Sequence, residues 1–279
     1  MPVFENSEIA YAKINLALHV RERRADGYHK IETLFAFADD GDILSVAPAS
    51  ALTLSIIGPF SEGLSTGVDN LVLRAAYALQ RAYHIEQGAA LTLDKRLPVA
   101  AGIGGGSADA AAVLRLLVRH WNIKADPAVL YDIAKMLGAD VPACIQSHAV
   151  RGEGVGEQLH PVDETSIKGL PILLINPLIA CPTRAVFEAW DGVDRGALQC
   201  CDALSAALAG RNDLETPALG IVPLIGTVCD FLKAQEGAIL TRMSGSGATC
   251  FSLYQNSDLR DQALDNCPPD WWSMASHLR

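Results

Sequence analysis

The sequence predicts an α+β protein of two domains, on three observations. An alternating apolar strand opens the chain; a strand, a glycine loop and an alanine-rich helix succeed one another between Ala89 and Leu117; and beyond residue 160 the composition shifts and short β and α segments alternate. A length of 279 residues suits two modest domains, and a hydrophobic share of 50% can fill their cores. The boundary is expected near residue 160, dividing the chain into 1–160 and 161–279.

From Glu8 to Val20, Ala10, Ala12, Ile14, Leu16, Leu18 and Val20 fall on one face of a strand, and Tyr11, Lys13, Asn15 and His19 on the other. Two readings stand for that second face. Either it is solvated, or it sets a cation beside an amide on a rigid element, where a catalytic site gains precision. Asp26-Gly27, inside the charged stretch Arg21–His29, signals a hairpin, and Lys30–Ala38 returns with Ile31, Thr33, Phe35 and Phe37 on one face. Tyr28 and His29 sit where the turn re-enters the sheet. Either the tyrosine packs on the turn, or the pair stacks on a nucleobase and reads its edge. Further β structure is expected over Gly41–Ile57, then a loop, then a helix over Asn70–Tyr83 with Asp69 as its N-cap. A short strand over Ala89–Leu93 ends in Asp94-Lys95-Arg96, just ahead of the glycines.

Gly102, Gly104, Gly105 and Gly106 carry no side-chain bulk and let backbone N–H groups approach an anion. Ser107 is expected to cap the next helix, in which Val113, Leu114, Leu117 and Val118 recur at helical spacing; the free N–H groups and positive dipole end there attract phosphate. Asp109, placed in the first turn, would compete for that dipole, and a magnesium ion would relieve the conflict. No lysine follows the glycines as in a P-loop, and Ser107 stands where a dinucleotide fingerprint needs its third glycine. The other reading of the stretch is a tight turn into a close-packed helix. Next comes a helix over Pro127–Leu137 stopped by Gly138. Asp140 then caps a short helix begun by Pro142, serves as a catalytic base, or does both.

The second half reads as a strand over Ile172–Ile175, helices over Pro182–Trp190, Ala203–Ala209 and Val222–Ala234, and strands over Ala238–Met243 and Thr249–Tyr254 flanking Ser244-Gly245-Ser246-Gly247. That order suggests a small ferredoxin-like sandwich.

Composition excludes several classes. A formal charge of −10 argues against a broad nucleic-acid surface while leaving room for a local anion pocket. No apolar run is long enough for a bilayer and the N-terminus lacks secretory or Arg-rich transit features, so a cytoplasmic protein without a membrane partner is expected. Seven cysteines (Cys144, Cys181, Cys200, Cys201, Cys229, Cys250 and Cys267) lie scattered without a CxxC pair, which disfavours zinc and redox motifs and suggests mostly buried small hydrophobes.

Taken in order, AYAKINLALHVRERRADGYHKIETLF, DNLVLRAA, DKRLP, GIGGGSADAA, LGADVP, EGVGE and SGSGA resemble the GHMP kinases over most of the chain. Within that family the K-I-N and RADGYH pairing is similar to the member whose alcohol substrate carries a cytidylyl diphosphate. The resemblance implies an N-terminal ATP-binding domain like the second domain of ribosomal protein S5 and a C-terminal ferredoxin-like domain. It implies ATP and Mg²⁺ as cofactors, a cytidylyl diphosphate sugar alcohol as the small-molecule partner, and transfer of the γ-phosphoryl group to its tertiary 2-hydroxyl in isoprenoid precursor synthesis. By the same resemblance Lys13 and Asp140 are the catalytic pair, with Lys13 keeping Asp140 ionised; Asn15, Tyr28, His29, Phe187, Gly245 and Gly247 face the substrate. Asn70, Lys95, Gly102, Ile103, Gly104, Gly105, Gly106 and Ser107 fall to ATP, and Ser107 also to the metal. Ala100, Ala101 and Ala108 replace the family's more usual glycines and second serine; the first two are expected to be tolerated with negative φ. A homoserine- or mevalonate-type kinase of the same family, and a non-catalytic nucleotide-binding protein of the same fold, are the alternatives.

Overall fold

The computed structural model describes residues 6–199 and 202–279; Cys200 and Cys201, two of the cysteines expected to be buried, lie outside the described residues. Of the others, Cys144, Cys181, Cys229 and Cys250 are buried and Cys267 is half-buried, all as free thiols. The chain forms two compact units. The first takes the chain up to Ala12, Asp40–Val99 and Gly104–Gln146; the second takes Lys13–Asp39, Ala100–Ile103 and the chain from Ser147 onward. Strands β1 (Ser7–Arg23) and β2 (His29–Ala49) contribute residues to both.

Strand β1 is buried on both faces over Ala12–Val20. Lys13, Asn15 and His19 are only 4%, 2% and 2% exposed, which corrects the reading of a solvated second face. Strand β2 merges the two strands expected around Asp39-Asp40-Gly41 into one of 21 residues. The glycine there is not a turn. A Cβ on Gly41 would lie 1.9 Å from the carbonyl oxygen of Ala10, so the residue exists to let another backbone pass.

In the first unit, β3 (Leu52–Ile57) runs parallel to β4 (Gly88–Asp94), and β4 pairs antiparallel with the Ile43–Ala49 part of β2. Parallel neighbours need a crossover, here through α1 (Leu71–Tyr83). Asn70, not Asp69, caps α1: its side-chain oxygen accepts from Val72 N at 2.8 Å, whereas Asp69 accepts from the Ser65 hydroxyl. Helix α2 (Gly105–His120) packs on α1, on α3 (Pro127–Leu137) and on α4 (Val141–Gln146). Its alanines make these contacts close: Ala108, Ala110, Ala111 and Ala112 are all buried. Asp126 caps α3 and Gly138 ends it at the expected place.

In the second unit, Thr33–Phe35 of β2 pairs with β5 (Val150–Glu153), which forms a hairpin with β6 (Gln158–Pro161). Beyond it come β7 (Pro171–Asn176), α5 (Thr183–Glu188), α6 (Ala203–Ala209), α7 (Glu215–Ile221), α8 (Leu224–Lys233), β8 (Ala238–Met243), β9 (Cys250–Tyr254), α9 (Ser257–Asp265) and β10 (Trp272–His277). Strands β7 to β10 form an antiparallel sheet in the order β10-β7-β9-β8. That is the ferredoxin-like arrangement, completed by α9 and β10, which the sequence reading left out. Leu173, Ile175, Val186, Val228 and Leu232 fill its core.

Gly41→Ala is expected to destabilise the protein by at least about 1–3 kcal/mol, because neither strand backbone can yield to a methyl group. Urea unfolding measures it; an unchanged midpoint would contradict the close crossing at Ala10.

Candidate active site

The glycine stretch expected to cradle an anion leads, in the first unit, into the start of α2. Gly104 caps the helix in a left-handed conformation (φ 65°) with no side-chain hydrogen bond, so Ser107 is the third helical residue and not the cap expected for it. The cap position thus holds only backbone, and no capping side chain reaches the first-turn N–H groups. Asp109 is also not in the first turn. Its carboxylate turns inward and meets Lys95 Nζ at 2.7 Å, while Asp42 meets the same ammonium at 2.5 Å. Asp42 Oδ1 accepts from the backbone of Arg96 at 2.6 Å and Leu97 at 2.8 Å.

One carboxylate on β2 therefore holds the end of β4, and through Lys95 it also holds the second turn of α2. A Cβ on Gly105 would sit 3.0 Å from Lys95 Nζ, so glycine lets the ammonium lie against the helix start. Burial alone would lower the pKa of Lys95, but the Asp109 and Asp42 charges outweigh it and raise the value. Asp109 is pushed up to about 7, first by burial and then by Asp42, against the pull of Lys95. Asn70 is engaged too: besides its cap bond, Nδ2 donates to Ser65 O at 2.7 Å. Asp140 lies half-buried in the turn before α4, and its carbonyl accepts from Cys144 N.

The second unit gathers Lys13, Asn15, the Ala100–Ile103 segment and the Ser244–Gly247 loop. Lys13 Nζ donates to Asn15 Oδ1 at 2.7 Å and lies 5.2 Å from the centre of the Phe35 ring. Asn15 Nδ2 donates to Thr33 Oγ1 at 2.8 Å. Asn15 N donates to the Ser244 hydroxyl at 3.1 Å, and that hydroxyl donates to Gly102 O at 3.0 Å. The loops touch backbone to backbone: a Cβ on Gly102 would fall 2.4 Å from Ser244 O, and one on Gly245 2.9 Å from Gly102 O. Asn212 Nδ2 holds the second loop by donating to Met243 O and Gly245 O, each at 2.8 Å. Ala100, expected at negative φ, adopts φ 52°, a left-handed conformation that costs an alanine about 1–2 kcal/mol.

The aromatic group in the same unit has one exposed and several buried members. Tyr28 is 64% exposed at the hairpin tip, while His29 is buried against Phe187 (5.1 Å between ring centres) and the edge of Trp190 (5.7 Å). Burial, and then the charge of Arg23, lower the His29 pKa and keep its ring neutral near pH 7.

Asp42, Thr33, Ser244, Asn212 and Trp190 were not singled out from the sequence. The i, i+3 spacing of Phe187 and Trp190 is a signal that could have paired them; the others mark themselves only through contacts remote in the chain.

Removing the cation strands two buried carboxylates, so Lys95→Met is expected to cost about 3–5 kcal/mol of stability. Thermal and urea unfolding check this, and a loss below about 1 kcal/mol, typical of exposed pairs, would contradict it.

The chain matches the GHMP kinases N terminal domain over residues 70–148 and the GHMP kinases C terminal domain over residues 197–272. It is 56% identical to a 4-diphosphocytidyl-2-C-methyl-D-erythritol kinase of Rhizorhabdus wittichii, covering 100% of this chain and 96% of that protein. A kinase of the same name from Novosphingobium aromaticivorans is 53% identical, over 98% and 92% of the two chains. A crystal structure of 4-(cytidine 5'-diphospho)-2C-methyl-D-erythritol kinase superposes with a TM-score of 0.81 at 33% identity, covering 98% of both chains. Both family domains and full-length relatives sharing more than half its residues establish that the chain belongs to the GHMP kinase family.

Proposed function

We propose that this chain transfers the γ-phosphoryl group of ATP to the 2-hydroxyl of 4-diphosphocytidyl-2-C-methyl-D-erythritol, the substrate its relatives' name carries. The observation that carries the reading is the pairing, in one unit, of a buried ammonium on a rigid strand with an exposed tyrosine beside a neutral, buried imidazole. The ammonium suits a developing alkoxide. The tyrosine offers a face for a base to stack on, and a neutral imidazole both donates and accepts at a base edge. Homoserine and mevalonate have no base for that second group to read.

In this reading Asp140 takes the proton of the tertiary alcohol, a poor nucleophile while neutral. Lys13 steadies the negative charge that forms on the oxygen. Asn15, Tyr28, His29, Phe187, Gly245 and Gly247 bind the cytidylyl alcohol. Gly102, Ile103, Gly104, Gly105, Gly106 and Ser107 hold the triphosphate by backbone N–H groups and one hydroxyl, while Asn70 and Lys95 belong to the nucleotide side. Lys95 serves there from within, as the buried strut of the cradle, since its ammonium is already shared by two carboxylates. Positioning and charge stabilisation carry the acceleration, because a loose phosphoryl transition state asks for little covalent help.

Mg²⁺ accompanies the nucleotide in the same reading. Among the described residues no three His, Cys, Asp or Glu side chains are grouped to hold a metal. That suits an ion that keeps several waters and takes ligands mainly from phosphates. The Ser107 hydroxyl, half-exposed in the first turn of α2, is the protein donor we assign to it. Bound there, it would neutralise phosphate charge. We keep residues 1–160 as the ATP-binding domain and 161–279 as the C-terminal one, although the compact units cut across that boundary, with Lys13–Asp39 and Ala100–Ile103 falling in the same unit as the chain from Ser147 onward. A small-molecule enzyme of the cytoplasm fits this assignment, and no helix among the described residues is long and apolar enough to cross a membrane.

Coupled ADP release tests the function. The cytidylyl alcohol is expected to support turnover at least about 10²-fold faster, per unit of kcat/KM, than homoserine or mevalonate, the scale set by a site whose buried polar groups read the substrate. Equal rates with the three alcohols would overturn the assignment.

A further inference from the structure

We infer that Thr33 is a positioning residue for phosphoryl transfer: its hydroxyl fixes which way round the Asn15 carboxamide lies, and thereby where the Lys13 ammonium is held. The inference rests on the reading above that Lys13 serves the reaction, and goes beyond it by assigning the group that orients Lys13.

The direction of each bond follows from what the groups can do. Thr33 Oγ1 lies 2.7 Å from Ala17 O, and a carbonyl only accepts, so the single hydroxyl proton of Thr33 is committed there. What Thr33 has left is lone pairs. The Asn15 side-chain nitrogen, 2.8 Å away, must therefore present its NH₂ to Thr33, and the amide oxygen then faces the other way. On that side lies Lys13 Nζ at 2.7 Å, a group with donors alone. The two ends of the chain demand the same orientation: flipped, the carboxamide would set NH₂ against ammonium and a carbonyl against lone pairs.

The surroundings leave the relay little slack. Thr33 is 0% exposed, Asn15 2% and Lys13 4%, so water does not compete freely for these bonds. The backbone of Asn15 is itself held by the Ser244 hydroxyl. Two residues along β2, on the same face as Thr33, Phe35 lies beneath the ammonium. Strand β2 thus supplies both the floor under Lys13 and the hydroxyl that orients its acceptor.

The test compares Thr33→Val, which keeps shape and loses the hydroxyl, with Thr33→Ser, which keeps the hydroxyl. Thr33→Val is expected to lower kcat by about tenfold or more, in line with the sensitivity of a reaction to small misplacements, while KM for ATP and for the cytidylyl alcohol stays within about twofold. Thr33→Ser is expected to restore kcat. In an Asn15→Ala background Thr33→Val should add no further loss, because the group it acts through is gone. Retention of kcat in Thr33→Val while Lys13→Ala is slow would overturn the inference and leave the role of Lys13 standing; retention in both would overturn the role of Lys13 itself. A loss that Thr33→Ser fails to repair, or that adds to Asn15→Ala, would also overturn the inference. Should Thr33→Val not fold, hydrogen exchange of the Asn15 side-chain NH₂ in the unaltered protein decides. Strong protection is expected, and exchange as fast as that of a surface asparagine would overturn the relay.

Discussion

Strand β1 has no solvated face, and that single constraint governs the second unit. A strand buried on both sides cannot carry Lys13, Asn15 and His19 unless each finds partners within the protein, because an unsatisfied polar group in the interior costs about 1–3 kcal/mol and a charge costs more. Most of the partners come from far along the chain. Lys13 donates to Asn15 on its own strand and lies over the Phe35 ring of β2, while Asn15 draws on Thr33 of β2 and on the Ser244 hydroxyl. His19 stands between Gly196 O at one ring nitrogen and the N–H of Arg211 at the other, so one nitrogen donates and the other accepts. Burial, followed by the charge of Arg211, lowers its pKa and keeps the ring neutral, which is the state those two bonds require. Function inherits this order: an ammonium offered to a substrate is useful in proportion to how firmly its other contacts fix it.

The first unit solves a different problem with charge. The start of α2 is capped by a glycine, so no capping side chain anchors the helix there. Anchoring comes instead from within, through Asp42, Lys95 and Asp109, where one ammonium joins the approach to the loop with the second turn of the helix behind it. Buried ion clusters contribute little net stability compared with apolar packing, but they fix geometry, since every member needs the others.

Much of this was legible in the sequence. Alternation marked β1 and the Asp26-Gly27 pair its hairpin; strands β7, β8 and β9 were legible without β10, and Gly138 marked the end of α3. The strand Gly88–Asp94, the glycine loop and the helix Gly105–His120 were legible in their right order. The misreadings share a cause: the pattern along the chain was weighed without the neighbour across it. Gly41 reads as the start of a separate strand until the backbone of Ala10 is seen against it, Ser107 looks like a cap until Gly104 takes that place, and Asp109 looks like a rival for the helix dipole until Lys95 meets it. Ala100 at positive φ shows the same limit, since nothing local announces a left-handed alanine. Thr33, Ser244 and Asn212 carry ordinary side chains whose site contacts lie 16 to 229 residues away along the chain.

The central claim is that Lys13 and Asp140 serve one chemical step. Single-turnover phosphoryl transfer, measured for Lys13→Ala, Asp140→Asn and the double variant with both substrates saturating, tests it most directly. The account predicts that Asp140→Asn slows transfer by about 10²–10⁴-fold, the range of a general base, and that the double variant is scarcely slower than the worse single one, as for groups that act as a unit. Near-normal transfer in Asp140→Asn, or losses that simply multiply, would contradict it.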